Sequence, residues 1–127
     1  MQIDALAQSK VALVGALLFL SWLGAYIHTT FELQLPVWRP ENSVPALIAL
    51  ALFLGWWRQD HRRRLWAVLL LAWTAVGHLL IGAVLSVLSL PLWPFSPEQS
   101  AAHYASHLIY AVTQLPLIWV LWREISS

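Results

Sequence analysis

PEQSAAHYASHLIYAVTQLPLIWVLWRE, residues 97–124, is the stretch that decides the fold. It is long enough to cross a bilayer, yet a polar stripe runs down its otherwise apolar surface. His103, His107, Tyr110 and Gln114 follow one another at steps of four, three and four, which at 3.6 residues per turn places them on one face. Polar side chains at membrane depth are costly against lipid, so that face is expected to look into a protein interior or a wet cavity. The stretch predicts a helix in a bundle, with the polar chemistry inside.

The rest of the chain agrees with that class. Its 127 residues are one domain's length, but 60% are hydrophobic and only 10% are charged, and the mean hydropathy is +0.68. A soluble domain of this size would leave much apolar surface in water. There is no cysteine, which excludes disulfides, thiolate metal sites and thiol redox chemistry. A net charge of +1 gives no footprint for nucleic acid, so none is expected as a partner. The expected partner is the lipid bilayer, with other membrane subunits or a small hydrophobic ligand as further candidates. The amino end, MQIDALAQSK, has one lysine ahead of an apolar run longer than a signal-peptide core, and reads as a retained first membrane helix.

Working backwards from residue 97, the pattern predicts an all-α integral membrane four-helix bundle in one transmembrane domain, residues 1–127. The helices are expected at about residues 9–33, 44–58, 65–90 and 97–124. Asp4 is a candidate cap for the first, Asn42 or Ser43 for the second, and Ser96 with Gln99 reads as a capping box for the fourth. The second is short for a span and carries no polar side chain between Val44 and Trp57, which suits a lipid-facing wall. Lys10, Arg58, Arg62, Arg63, Arg64 and Arg123 flank one side, against Arg39 alone on the other. This bias predicts both termini and the arginine loop in the cytoplasm. Trp56, Trp57, Trp66, Trp119 and Trp122 suit the inner interface, and Trp38 and Trp93 the outer one. Short loops favour an up-down-up-down order that sets the first helix beside the fourth.

Depth then pairs the polar residues. Counting about 1.5 Å per residue, His28 is expected in one layer with His107, and Glu32 with His103. Thr74, His78, Gly82 and Ser86 recur at steps of four, with His78 about level with Gln114. Small residues Ser21, Gly24 and Ala25 would let a neighbouring helix come close.

Two i, i+4 pairs on facing helices are how helical bundles build metal sites, so His28, Glu32, His103 and His107 are the candidate ligands for zinc, copper or non-haem iron. His28, His107, Tyr110, Gln114 and His78 are the candidate cofactor contacts, with haem held between His28 and His107 as one option. Glu41 and Glu98 lie on the outer loops, where either could reach the mouth of the site but water is the better expectation, and His61 is expected to be solvated. No catalytic residue is assigned. The expected function is a small polytopic membrane protein binding a metal ion or metal-containing cofactor in the outer half of the bundle. A structural or accessory subunit, with the polar column as interhelical glue, is the alternative.

One short segment carries a resemblance. HTTFE, residues 28–32, is similar to the acid site of the emopamil-binding family of sterol isomerases and sigma-2-like proteins in its spacing of histidine and glutamate. That resemblance implies sterol or lipid-like ligand binding. A second acidic residue in the second or third helix, which the family pattern implies, is absent here.

Overall fold

The structure, a computed structural model, describes residues 2–127. It is all-helical, with no strand among the described residues: α1 (Gln2–Leu33), α2 (Pro40–Arg58), α3 (Arg63–Ala72) and α4 (Ala101–Ser126). A single 3-10 turn (Asp60–Arg62) leads into α3, which runs on as a π-helix (Trp73–Val84) and a closing 3-10 turn (Leu85–Val87). Three helical stretches, Asp4–Leu33, Asp60–Val87 and Ala101–Ser126, are long and apolar enough to cross a membrane. Their outward surfaces stay apolar, with Phe19, Leu108 and Trp119 each about 60% exposed.

The side-chain pairs fix how neighbours run. Along α1 and α4, Glu32 meets His103, His28 meets His107, Ser21 meets Gln114 and Lys10 meets Glu124, so the two helices are antiparallel over their full length. Gly24 of α1 lies against Thr113 of α4, where any Cβ would overlap the threonine hydroxyl. Gly55 of α2 plays the same part against the Trp66 indole, bringing α2 onto α3. Only a residue without a side chain permits either approach.

The ends expected at residues 33 and 58 hold, and the other boundaries shift. The first helix begins at Gln2, not near residue 9, so Asp4 sits inside its first turn, where a carboxylate complements the helix dipole, and does not cap it. It ends on Gln34, whose φ of 53° and bond to the Thr30 carbonyl form a left-handed cap. The second helix starts at Pro40, four residues before position 44, because a proline at the first helical position needs no capped N–H. Asn42 and Ser43 therefore cap nothing. Asn42 is 2% exposed and ties the α1–α2 turn: its amide donates to the Leu35 and Pro36 carbonyls at 3.3 and 2.9 Å, and its oxygen accepts from Thr29.

The third span ends at Val87 and not at residue 90. No glycine closes it, so side chains satisfy its last carbonyls instead: Ser86 donates to Gly82, His107 to Ala83, Trp93 to Leu85 and Gln99 to Val87. The last of these removes Gln99 from the expected capping box. Helix α4 begins at Ala101, with Ser100 accepting the His103 N–H at 3.2 Å as its cap. Within the π-helix the buried positions Thr74, His78 and Ala83 step by four and then five, a wider step than an α-helix makes.

The interior has two regions. Toward the end that carries the termini and the arginine loop, hereafter the basic end, Val14, Trp56, Ala67, Leu70, Leu117 and Leu121 form a dry core. Toward the far end the packing is smaller and more polar: Ala25, Ala83 and Tyr110, beside His78, His103 and His107. Ser21, Thr74 and Gln114 are fully buried between the two regions. At the basic end one carboxylate joins all four helices. Glu124 of α4 accepts from Trp56 Nε1 of α2 at 3.1 Å and from Arg63 Nε of α3 at 3.3 Å, and lies 3.5 Å from Lys10 Nζ of α1. Trp56, expected as an interfacial anchor, is thus a core residue with its one donor satisfied.

Candidate metal centre

The far end of α1 presents His28 and Glu32 one turn apart, and the first two turns of α4 present His103 and His107 in the same way. Because the helices are antiparallel, the two pairs meet layer against layer. In the upper layer His103 Nδ1 donates to Glu32 Oε2 at 2.6 Å. In the lower layer the Nε2 atoms of His28 and His107 lie 2.9 Å apart.

The lower layer has its protons fixed by geometry. His107 Nδ1 faces the Ala83 carbonyl at 2.8 Å, and a carbonyl only accepts, so this nitrogen carries the proton. The neutral ring then offers a lone pair at Nε2. His28 must fill it with its own Nε2–H, which leaves the His28 lone pair at Nδ1. Both imidazoles hold α1, α4 and the end of the third span together, with His28 Nδ1 the one ring nitrogen left over.

Two ligands on one metal ion at 2.0–2.1 Å bonds stand apart by about 4 Å across the axial pair that a haem needs. At 2.9 Å the His28 and His107 nitrogens bond each other, with no slot for a porphyrin between them. Of the four expected ligands, Glu32 and His103 belong to the group whose ligand atoms draw together, while His28 and His107 pair with each other beside it. The acceptor and donor atoms that do converge belong to Glu32, Glu98 and His103, all within 4.8 Å of one another. Glu98, for which water is the first expectation and the mouth of the site the second, is exposed and lines that mouth.

His103 is the pivotal member. It is 8% exposed, its Nδ1 is spent on Glu32, and its Nε2 is buried with no hydrogen-bond partner. Neutral imidazole with Nδ1–H on a carboxylate and a free lone pair at Nε2 is the form in which histidine binds metal. A pocket of about 420 Å³ opens here, bounded by Glu32, Glu98 and His103 and by the apolar Leu33, Phe95 and Pro97. Ser106, one turn along α4 from His103, is also buried with its hydroxyl unpartnered.

The deeper candidates are satisfied within the protein. His78 Nδ1 and Tyr110 Oη are 2.5 Å apart, and the Trp73 ring stands edge-on to His78 at 5.3 Å. Gln114 accepts from the Ser21 hydroxyl and donates to the Ser21 and Tyr110 carbonyls at 2.9 and 3.2 Å. Below them the dry core closes the column. Sequence reasoning misses Glu98 because residues 88–100 form no regular helix beyond Val87 and no periodicity sets their path. The only signal is its closeness in the chain to His103.

No protein-family model, curated protein or solved structure matches the chain. The resemblance of HTTFE to the emopamil-binding family thus rests on those five residues alone.

Proposed function

We propose that the chain is a small multi-pass membrane protein that binds a divalent transition metal ion at Glu32, Glu98 and His103. In this reading the four helices run up, down, up and down across the bilayer, the termini and arginine loop are cytoplasmic, and the metal centre faces the other side. Two observations carry it: ligand atoms of Glu32, Glu98 and His103 lie within 4.8 Å of one another, and the Nε2 of the same His103 is buried without a partner. Two carboxylates balance the charge of a divalent ion, and the imidazole favours zinc, copper or iron over magnesium and calcium. Glu98, exposed and ahead of α4, has the freedom to close the 4.8 Å spread to a ligand sphere. Glu32 either stays on His103 Nδ1 and orients the ring or turns an oxygen to the ion. Three protein ligands leave an open position toward the pocket, for water or a small ligand.

The test is zinc binding by protein purified without a histidine tag, read by calorimetry and elemental analysis. One ion per chain is expected. His103→Ala abolishes it, Glu98→Gln weakens it at least tenfold, and His78→Ala leaves it intact. Absence of saturable binding, or binding that survives His103→Ala, would refute the assignment.

A second reading has its own support. His28 with His107, His78 with Tyr110 and Ser21 with Gln114 satisfy one another across three helices, as expected of an accessory subunit whose polar column fixes helix packing. The exposed Leu47, Leu50 and Leu54 of α2 would then dock on a larger complex. A monomer purified with its ion bound would count against this.

A further inference from the structure

The basic end holds six of the chain's seven lysine and arginine side chains, and the fold divides them into two groups. Lys10 and Arg63 turn onto Glu124, and Arg123 lies over the Trp119 ring at 5.0 Å. Arg58, Arg62 and Arg64 are exposed and make no salt bridge among the described residues. The loop's one carboxylate, Asp60, faces Arg63 at 3.8 Å. Arg62 and Arg64 also flank the start of α3, so the positive end of the helix dipole adds to their mutual repulsion. A positive-inside bias accounts for cations at this end. It does not account for a fold that leaves three of them without a carboxylate partner at one end of the bundle, Arg58 with only the α2 C-terminal dipole to offset it.

Their setting indicates what neutralises them. Trp57 is exposed beside Arg58, and Trp119 and Trp122 are exposed on α4 at the same end, a ring type that seats at headgroup level. We propose that Arg58, Arg62 and Arg64 form a binding surface for the phosphate groups of anionic membrane lipids. Planar guanidinium forks pair with phosphate oxygens in two parallel hydrogen bonds. A choline headgroup would bring its own cation against the arginines, so the surface selects phosphatidylglycerol over phosphatidylcholine. This surface is independent of the metal centre at the far end.

The test uses the full chain in phosphatidylcholine-containing micelles titrated with phosphatidylglycerol, with bound lipids quantified by native mass spectrometry. Phosphatidylglycerol is expected to bind at least tenfold more tightly. Each of Arg58→Gln, Arg62→Gln and Arg64→Gln lowers that preference about fivefold, and added salt weakens it. Arg39→Gln, at the opposite end, leaves it unchanged. Each substitution trims an exposed side chain, and circular dichroism checks that the fold is kept. Inorganic phosphate at matched concentration forms the second arm. Equal binding of the two lipids, preference retained in all three variants, or full displacement by inorganic phosphate would each overturn the proposal.

Discussion

Replacing Glu124 with glutamine is expected to destabilise the protein by about 2 kcal/mol. The Trp56 bond survives, because the amide oxygen still accepts from Nε1. The loss is the charge: Arg63, 27% exposed, keeps a neutral bond to the amide oxygen, the more distant Asp60 and the Trp56 ring face at 4.3 Å, and gives up about 1.5 kcal/mol of charge assistance. Lys10 is 43% exposed, so solvent screening limits its share to about 0.5 kcal/mol. Glu124→Ala should cost about 4 kcal/mol, because Trp56 Nε1 is then left buried without an acceptor, a further 1–3 kcal/mol or so. Unfolding in mixed dodecylmaltoside and sodium dodecyl sulfate micelles, followed by circular dichroism, gives both values. A double-mutant cycle with Arg63→Gln isolates the pair and should return a coupling of at least ~1 kcal/mol. Refutation takes either of two forms: Glu124→Gln within about 0.5 kcal/mol of the parent, or strict additivity in the cycle.

Gly24→Ala should cost about 2 kcal/mol in the same unfolding assay, since the new methyl meets the Thr113 side chain, and Thr113→Ala in the same chain should recover most of it. Gln34→Gly should raise stability by about 1 kcal/mol, because Gln34 holds a left-handed φ of 53° that glycine adopts without cost. The chain has no cysteine, so single cysteines report topology. A membrane-impermeant maleimide should label Glu41→Cys on intact cells, and Ser127→Cys only after the membrane is opened.

What the sequence exposes and what it hides divide along physical lines. The two i, i+4 pairs and their layering were readable because helix rise and repeat are constant, so His28 opposite His107 and Glu32 opposite His103 follows from counting along antiparallel helices. Everything set by irregular backbone was not. Helix α2 begins at Pro40 because that proline starts a helix unaided, which frees Asn42 to hold the turn. The third span stops at Val87 because side chains from residues 86, 93, 99 and 107 collect its carbonyls. Glu98 and Glu124 are charged residues at segment ends, where the default reading is solvent. Only three-dimensional packing shows one over the site and the other, with 13% of its side chain exposed, inside a four-helix clasp.

The pattern of unmatched polar atoms bears on whether the far end is a site or only glue. Packing glue is expected to be satisfied, and deeper down His78, Tyr110, Ser21 and Gln114 each have a partner, with Trp73 Nε1 beside them the exception. In the first two turns of α4, by contrast, His103 Nε2 and Ser106 Oγ are both buried and both unpartnered, three residues apart on one helix face. Each such atom costs about 1–3 kcal/mol in the folded state. A chain shaped for stability alone would remove them with apolar residues of similar volume. A chain that holds the His103 lone pair ready for a ligand recovers that cost when an ion arrives. Ligand binding to the folded state alone then stabilises it, by about 2.7 kcal/mol at a hundredfold excess over Kd. Zinc should therefore raise the unfolding midpoint of the parent protein and leave that of His103→Ala where it was. A midpoint unmoved by zinc in the parent would return His103 and Ser106 to the status of unexplained packing defects.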